Sequence, residues 1–440
     1  MISLPPPVRD RSGAPPEGEG PALPWSFRLV TDFRDLQALA PAWDALLEQC
    51  ASSEPMLAPD WLLTWWRVYG EGSGRELRVG LLYEGERLVG LAPLCRRRVW
   101  YRPGIPFTRL ELLGADVDEQ DGVCSAYLDL LAPAGREELV TGAFVAEIRK
   151  GSFGSWQEVV FDAVNGANGS PERLRSAFAS AGYHATTETI TEAPYLTLPA
   201  SWEACSKSMP RKHRHDVTRA LRHFEAWAGN DWKLEVARTP TELARGQQLL
   251  ETLHHERWKE GAGQEGAFAS PRFAAFHHAY VPRLFAAGKL ELLWLTVHGE
   301  PIMANYQIVA NHKVYYYLCG RSLHVPPDVR PGVLMTAFAL QRAIEAGLSE
   351  FDFLRGRAQY KSEFTHTARP IVQVRVARAG VREWLHHNTE IAIGFVRRLR
   401  NRRHGLNAHD RQSVPHASSF NNHHVSDRRP TPKANQDRPR

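Results

Sequence analysis

Cysteines are few and form no pattern. Cys50, Cys95, Cys124, Cys205 and Cys319 are an odd, scattered set without a C-x-x-C pair, which argues against a disulfide framework or zinc site and for a reducing compartment. Long apolar runs are absent, so nothing approaches the ~20 residues of a membrane-spanning helix. The opening Met1-Ile2-Ser3-Leu4-Pro5-Pro6-Pro7 has no basic stretch leading into an apolar one; no signal peptide is expected, and the chain reads as cytoplasmic. Neither sign of charge dominates: 54 Lys and Arg face 49 Asp and Glu, a formal net charge of +5, and most of the imbalance traces to the C-terminal tail. Such a balance does not argue for nucleic acid. The pairs His254-His255 and His277-His278 lack the spacing of a metal motif, and no metal is expected.

What is present is a chain of 440 residues, 43% of them hydrophobic, more than one core usually organises. The Pro- and Gly-rich segment 1–24 and a polar tail from about His404 read as disordered. Between them the sequence repeats a theme. Leu77–Tyr83 and Leu88–Leu94 read as strands around Gly85-Glu86, and Leu290–Val297 and Ile302–Gln307 as strands around Gly299-Glu300, roughly 210 residues later. That period is far beyond solenoid repeats and points to a duplicated domain. In the first half, extended segments near Leu110–Leu113 and Tyr127–Leu131 precede a helix from about Arg136 to Lys150. A strand at Glu158–Phe161, a helix around Glu172–Ala181 and a strand at Tyr195–Leu198 follow. In the second, Val314–Leu318 adds a strand. A helix with Val333, Ala337, Leu340 and Ile344 on one stripe follows, ending near Gly347, then strands at Glu350–Leu354 and Ile371–Ala377. The units are 25–200 and 201–385, with a basic helix and tail over 386–440.

Three constellations could carry chemistry. Arg330-Pro331-Gly332 opens the helix of the second half. Its free N–H groups, the bare glycine and Arg330 would cradle a pyrophosphate, though an ordinary Pro-started helix fits the same letters. In Phe351-Asp352-Phe353-Leu354, period two puts Asp352 opposite the phenylalanines, where it could take a proton from an amine, or else form a structural ion pair. Lys361, after Tyr360, could meet a phosphate or the negative charge developing on a thioester carbonyl. The run Arg211-Lys212-His213-Arg214-His215 with Arg219 and Arg222 gives a helix one basic face, which is either a phosphate-binding surface or merely a solvated one.

These residues, with Trp202 and Met209, resemble the CelD/BcsL branch of the GNAT acetyltransferases, named for cellulose biosynthesis. Pro59-Asp60-Trp61-Leu62, Trp65-Trp66 and Tyr69-Gly70 are similar to that family's N-terminal region. The resemblance spans roughly Trp25 to Trp384. It implies an α/β (α+β) fold of tandem GNAT-like domains, each a mixed, largely antiparallel sheet flanked by helices. It implies transfer of an acyl group, acetyl in the simplest case, from acyl-CoA to an amine such as an amino sugar of exopolysaccharide or envelope synthesis. Asp352, Lys361 and Tyr360 would then be catalytic, and Arg330, Pro331, Gly332, Arg214 and Arg219 would hold the donor. Tyr360-Lys361 and Phe364 also resemble the Fem peptidyltransferases, which implies an aminoacyl-tRNA donor as the alternative. A third reading is a non-catalytic scaffold of a polysaccharide synthase. The chain departs from the family in having Val329-Arg330 before Pro331-Gly332, and it lacks the Arg/Gln-x-x-Gly-x-Gly/Ala loop of ordinary GNAT enzymes. Finally, Trp384, Ile391, Phe395 and Leu399 recur at helical spacing before Arg397, Arg398, Arg400, Arg402 and Arg403. This is the pattern either of a helix lying on the inner membrane surface, near a lipid-linked sugar acceptor, or of one packed on the domain.

Overall fold

The computed structural model describes residues 25–101, 104–116, 121–260, 263, 265–356, 361, 363–385 and 389. Tyr360, the segment 1–24 and all but Thr389 of the tail 386–440 lie outside them. The fold is mixed α/β. One sheet of eleven strands runs through the described chain. From one edge its order is Glu76–Leu77, Leu94–Tyr101, Ile105–Leu112, Glu158–Asn165, Ala368–Ala377, His184–Thr197, Glu350–Asp352, Lys313–Arg321, Glu300–Ala310, Leu290–Val297 and Trp232–Val236. A separate three-stranded sheet joins Ser26–Val30, Val79–Glu84 and Arg87–Ala92.

Each half contains one parallel strand pair joined by a crossover helix, the connection parallel strands require. In the first, Ile105–Leu112 pairs with Glu158–Asn165 through Arg109↔Glu158, Leu110↔Val159 and Glu111↔Val160, and the helix is Glu137–Lys150. In the second, Lys313–Arg321 pairs with Glu350–Asp352 through Lys313↔Glu350, Val314↔Phe351 and Tyr315↔Asp352, and the helix is Pro331–Glu345. The units 25–200 and 201–385 therefore share one sheet. His184–Thr197 bonds Glu350–Asp352 on one side and Ala368–Ala377 on the other, and Ala368–Ala377 in turn bonds Glu158–Asn165.

Most expected elements are present, some with different limits. Leu290–Val297 is a strand with the expected bounds. The strand ending at Thr197 begins at His184, because it must span the partners on both its sides. Expected strand Leu77–Tyr83 is broken at Arg78, and its two pieces belong to different sheets. Tyr127–Leu131 opens on a bend with Tyr127 at positive φ and enters no ladder: Leu131 makes an isolated bridge with Leu91, and Leu128 N–H donates to the Ala163 carbonyl at 3.1 Å.

The tryptophan-rich segment of the first half locks the halves together. Trp61, fully buried in the helix Pro59–Trp65, meets Phe276 and Tyr280 edge-on at ring distances of 4.8 and 4.9 Å, and its Nε1 donates to Ser125 Oγ at 3.0 Å. Geometry of this kind adds to what the buried area alone supplies.

Candidate functional site

The strand Lys313–Arg321 leaves its parallel neighbour after Tyr315 and runs on paired only with Glu300–Ala310. Against Glu300–Ala310 its register jumps: Tyr306 faces Leu318 while Gln307 faces Tyr316. Tyr317 is thus the extra residue of a bulge, a device that bends a strand and leaves one residue outside the ladder. The gap so opened leads to a cleft of about 390 Å³ lined by Arg257, Tyr316, Cys319, Arg321, Pro331 and Gly332, among others. Helix Pro331–Glu345 starts at this cleft with no side chain capping it, so its uncapped N–H end faces the space with partial positive charge. A Cβ built on Gly332 meets nothing within 4 Å, which leaves the floor of the cleft open.

Two arginines stand over this helix end. Arg257 donates to Cys319 Sγ at 3.4 Å and lies 5.3 Å from the Trp258 ring. Arg321 has its pKa lowered, first by burial and then by the charge of Arg257. Among the described residues neither has a carboxylate within ion-pair distance. Two guanidinium groups and a helix N-terminus thus surround one cleft, with the Glu256 carboxylate acting on Arg321 from beside it.

The expected donor ligands fare differently. Pro331 and Gly332 line the cleft, as does Arg330, but the Arg330 guanidinium is paired with the buried carboxylate of Glu363. Arg330 holds φ +50 as the residue before the helix, so its pairing ties the helix start to the segment after Lys361. Arg214 and Arg219 do not line the cleft. They lie on the helix Arg211–Ala228, where Arg214 reaches the Lys207 carbonyl at 3.4 Å and Arg219 pairs with Asp216 at 3.0 Å. Arg257 and Arg321, which sequence reading passed over, line the cleft instead.

Lys361 is buried, and its Nζ donates to the carbonyls of Phe353, Leu354 and Arg355 at 2.8, 3.2 and 3.2 Å. An ammonium has three donors, so all are engaged, and phosphate contact through Nζ would cost one of these bonds. Burial lowers its pKa to about 8, against the opposing charge of Asp352. The lysine shapes the turn after the short strand, where Leu354 sits at φ +54.

Asp352 lies on the other face of the sheet from Phe351 and Phe353, as period two requires, and is 1% exposed. Tyr127 Oη donates to Oδ2 at 2.7 Å, Leu354 N–H to Oδ1 at 2.7 Å and Arg369 to Oδ2 at 3.2 Å. Burial dominates these donors and raises the carboxyl to a pKa of about 7. The structure thus brings Asp352 and Lys361 to one turn and places the Arg257–Arg321 cleft on the opposite face of the sheet. Nearby, Arg355 pairs with Asp116 at 2.9 Å and bonds Cys124. Cys124, Tyr127, Ala163 and Leu354 all have positive φ; non-glycine residues held so concentrate at functional sites. Among the described residues no group of three or more His, Cys, Asp or Glu could hold a metal ion.

Residues 211–362 match the family described as "Acetyltransferase (GNAT) domain". No curated protein matches the sequence. Among solved structures, the chain is similar to FemX at 12% identity and a TM-score of 0.54, over 80% of this chain and 96% of that one. A conserved protein of unknown function from Bacteroides thetaiotaomicron matches over 80% and 99% of the two chains, at 10% identity and a TM-score of 0.48. A tandem GNAT protein from the clavulanic acid pathway matches over 81% and 99%, at 12% identity and a TM-score of 0.41. The likeness to FemX is one of fold, and the match to the GNAT acetyltransferase family lies within the second half.

Proposed function

We propose that the protein is an N-acyltransferase whose donor, an acyl-CoA and in the simplest case acetyl-CoA, rests its phosphates between Arg257, Arg321 and the start of the helix Pro331–Glu345. The observation that carries this reading is the open cleft at the splayed strand, with two arginines that lack carboxylate partners among the described residues. The thioester would lie in the gap beyond Tyr315. A neutral amine attacks its carbonyl, the C–N bond forms, the C–S bond breaks and the sulfur leaves as thiolate. The protein's work is alignment and stabilisation of the oxyanion, for which the bulge at Tyr317 frees backbone from the ladder. The amine proton goes to Asp352, whose pKa of about 7 suits a base near neutral pH.

An amino sugar of exopolysaccharide or envelope synthesis is the acceptor class we put first. The test is release of free thiol from acetyl-CoA in the presence of an amino-sugar panel, alongside calorimetric binding of acetyl-CoA. Saturable binding with acceptor-dependent thiol release supports the reading; a folded protein that neither binds acetyl-CoA nor releases thiol defeats it. One observation favours a second donor. Helix Arg211–Ala228 exposes Arg211, Lys212, His215, Arg219 and Arg222, a surface that would hold the backbone of an aminoacyl-tRNA. Steeply salt-dependent retardation of tRNA, lost when Arg211, Lys212 and Arg222 become Gln, would move the proposal there.

A further inference from the structure

The helix Pro240–His255 does not stop at His255 but widens into a turn of π-helix, Glu256–Glu260, a form that collects at functional sites. That turn brings Arg257 to the cleft, and the strand Lys313–Arg321 brings Arg321. The two guanidinium groups repel: the charge of Arg257 acts with burial to hold the Arg321 pKa down. Glu256, the residue before Arg257, ties the two elements together. Its Oε1 accepts from Ser322 Oγ at 3.0 Å and from the Leu323 N–H at 2.6 Å. Ser322 Oγ accepts in turn from the His324 N–H at 3.1 Å, and the His324 ring, largely exposed, stands 3.9 Å from the same carboxylate. The residues that follow Arg321 are thus fastened to the residue that precedes Arg257.

We propose that Glu256 is the positioning residue of the donor cleft, the tie that keeps Arg257 and Arg321 at one opening where both meet the donor's phosphates. This role rests on the acyl-CoA reading and deepens it. Charge alone does not account for a carboxylate in this place, since beside an anion it is repulsive. Its hydrogen bonds do account for it. Bonds to an ionised acceptor are about twice as strong as neutral ones, and here two of them, one from a side chain and one from the backbone, end on a single oxygen. A carboxylate paired with either guanidinium would neutralise the cleft. Spent on Ser322 and Leu323, it steadies both arginines and leaves their charge to the ligand. It also lessens their mutual repulsion, because its charge raises the Arg321 pKa against the pull of Arg257.

The test is calorimetric titration of acetyl-CoA into the parent full chain and into Glu256→Ala, Glu256→Gln and Ser322→Ala, at one salt concentration and with thermal melts of each. Glu256→Ala should bind about tenfold to a hundredfold more weakly, having lost both bonds. Glu256→Gln should recover most of that affinity, because one amide oxygen can accept the same two bonds. Ser322→Ala, which loses one bond, should fall between Glu256→Ala and the parent. In the thiol-release assay with the amino-sugar panel, Glu256→Ala should raise the KM for acetyl-CoA and leave kcat in place, a split that general loss of structure does not give. Tighter binding by both Glu256 variants would make the carboxylate only an opposing charge, and Glu256→Gln as weak as Glu256→Ala would assign the effect to charge rather than to the bonds. Either result overturns the role, as does unchanged affinity in Glu256→Ala. Should that variant not fold, unchanged affinity in Ser322→Ala overturns it instead. A parent that binds no acetyl-CoA defeats the acyl-CoA reading and this role with it, whereas a parent that binds beside an indifferent Glu256→Ala defeats the role alone.

Discussion

In the first half, the chain beyond the parallel pair of Ile105–Leu112 and Glu158–Asn165 turns back into its own gap: Leu128 bonds the Ala163 carbonyl, and Val123, Ala126, Tyr127 and Leu128 are buried there. In the second half, the matching connection is the short run 322–330, and the gap beyond Tyr315 stays open as the cleft under Arg257 and Arg321. One architecture has thus been closed by its own loop in one copy and left open in the other. The closing loop also serves the open copy, because Tyr127 reaches Asp352 and the Val123 carbonyl accepts from Tyr317. The first half thus supplies contacts to the turn at Asp352 and to the bulge at Tyr317, and the family match is confined to 211–362.

The largest effect should come where the halves meet. Asp352→Asn removes the proposed base and should lower the transfer rate by about 10²–10⁴. The parent's rate should climb as pH rises through about 7 while this carboxyl ionises, and the variant's should stay flat. Stability carries the opposite sign. The folded carboxyl keeps its proton above the unfolded value of 3.8 until about 7, so unfolding free energy from this group falls as pH rises across that window. In Asp352→Asn that slope should vanish in urea melts taken across it.

Next is the contrast between the closed and open gaps. Leu128→Ala should cost about 2–5 kcal/mol in urea denaturation because it empties a buried contact. Val325→Ala, at the half-exposed lip of the cleft, should cost under about 1 kcal/mol. Equal costs would mean that the first gap is not packed as described. Tyr127→Phe is a finer cut. It removes one donor from Asp352, worth about 1 kcal/mol, and because that donor holds the carboxyl pKa down, the acid limb of the rate profile should move to higher pH. A limb that stays in place would detach the first half from the proton's path. The smallest effect belongs to Arg219→Ala, which should change donor affinity by less than about 0.5 kcal/mol, since Arg219 is exposed and paired with Asp216.

Much of the scaffold could be read from periodicity. Leu290–Val297, the helix opened by Pro331 and the placement of Asp352 on the face opposite Phe351 and Phe353 all follow from local pattern. The closing loop did not, because an apolar extended run such as Tyr127–Leu131 looks like a strand until its partners are known. Nor did Arg257 and Arg321, two isolated arginines without a shared motif. They meet because the helix Pro240–His255 crosses the strand Lys313–Arg321 at Gly320, where an added Cβ would sit 2.4 Å from the His254 nitrogen. Such a close approach is a tertiary fact that glycine permits but does not announce. The Arg211–Arg222 run is conspicuous in the sequence by its density of charge, whereas Arg257 and Arg321 stand alone in it.

On the proposed reading, one gap binds donor and the other cannot. Calorimetric titration of acetyl-CoA into the parent, an Arg257→Ala, Arg321→Ala double variant and an Arg136→Ala variant tests it most directly. Arg136 stands before the crossover helix of the first half, where it pairs with Glu84. One saturable site is predicted in the parent, unchanged in Arg136→Ala. The double variant should bind about 10²–10⁴ more weakly, at about 1.5–3 kcal/mol for each charged contact. Two sites in the parent, or a loss caused by Arg136→Ala and not by the double variant, would contradict it.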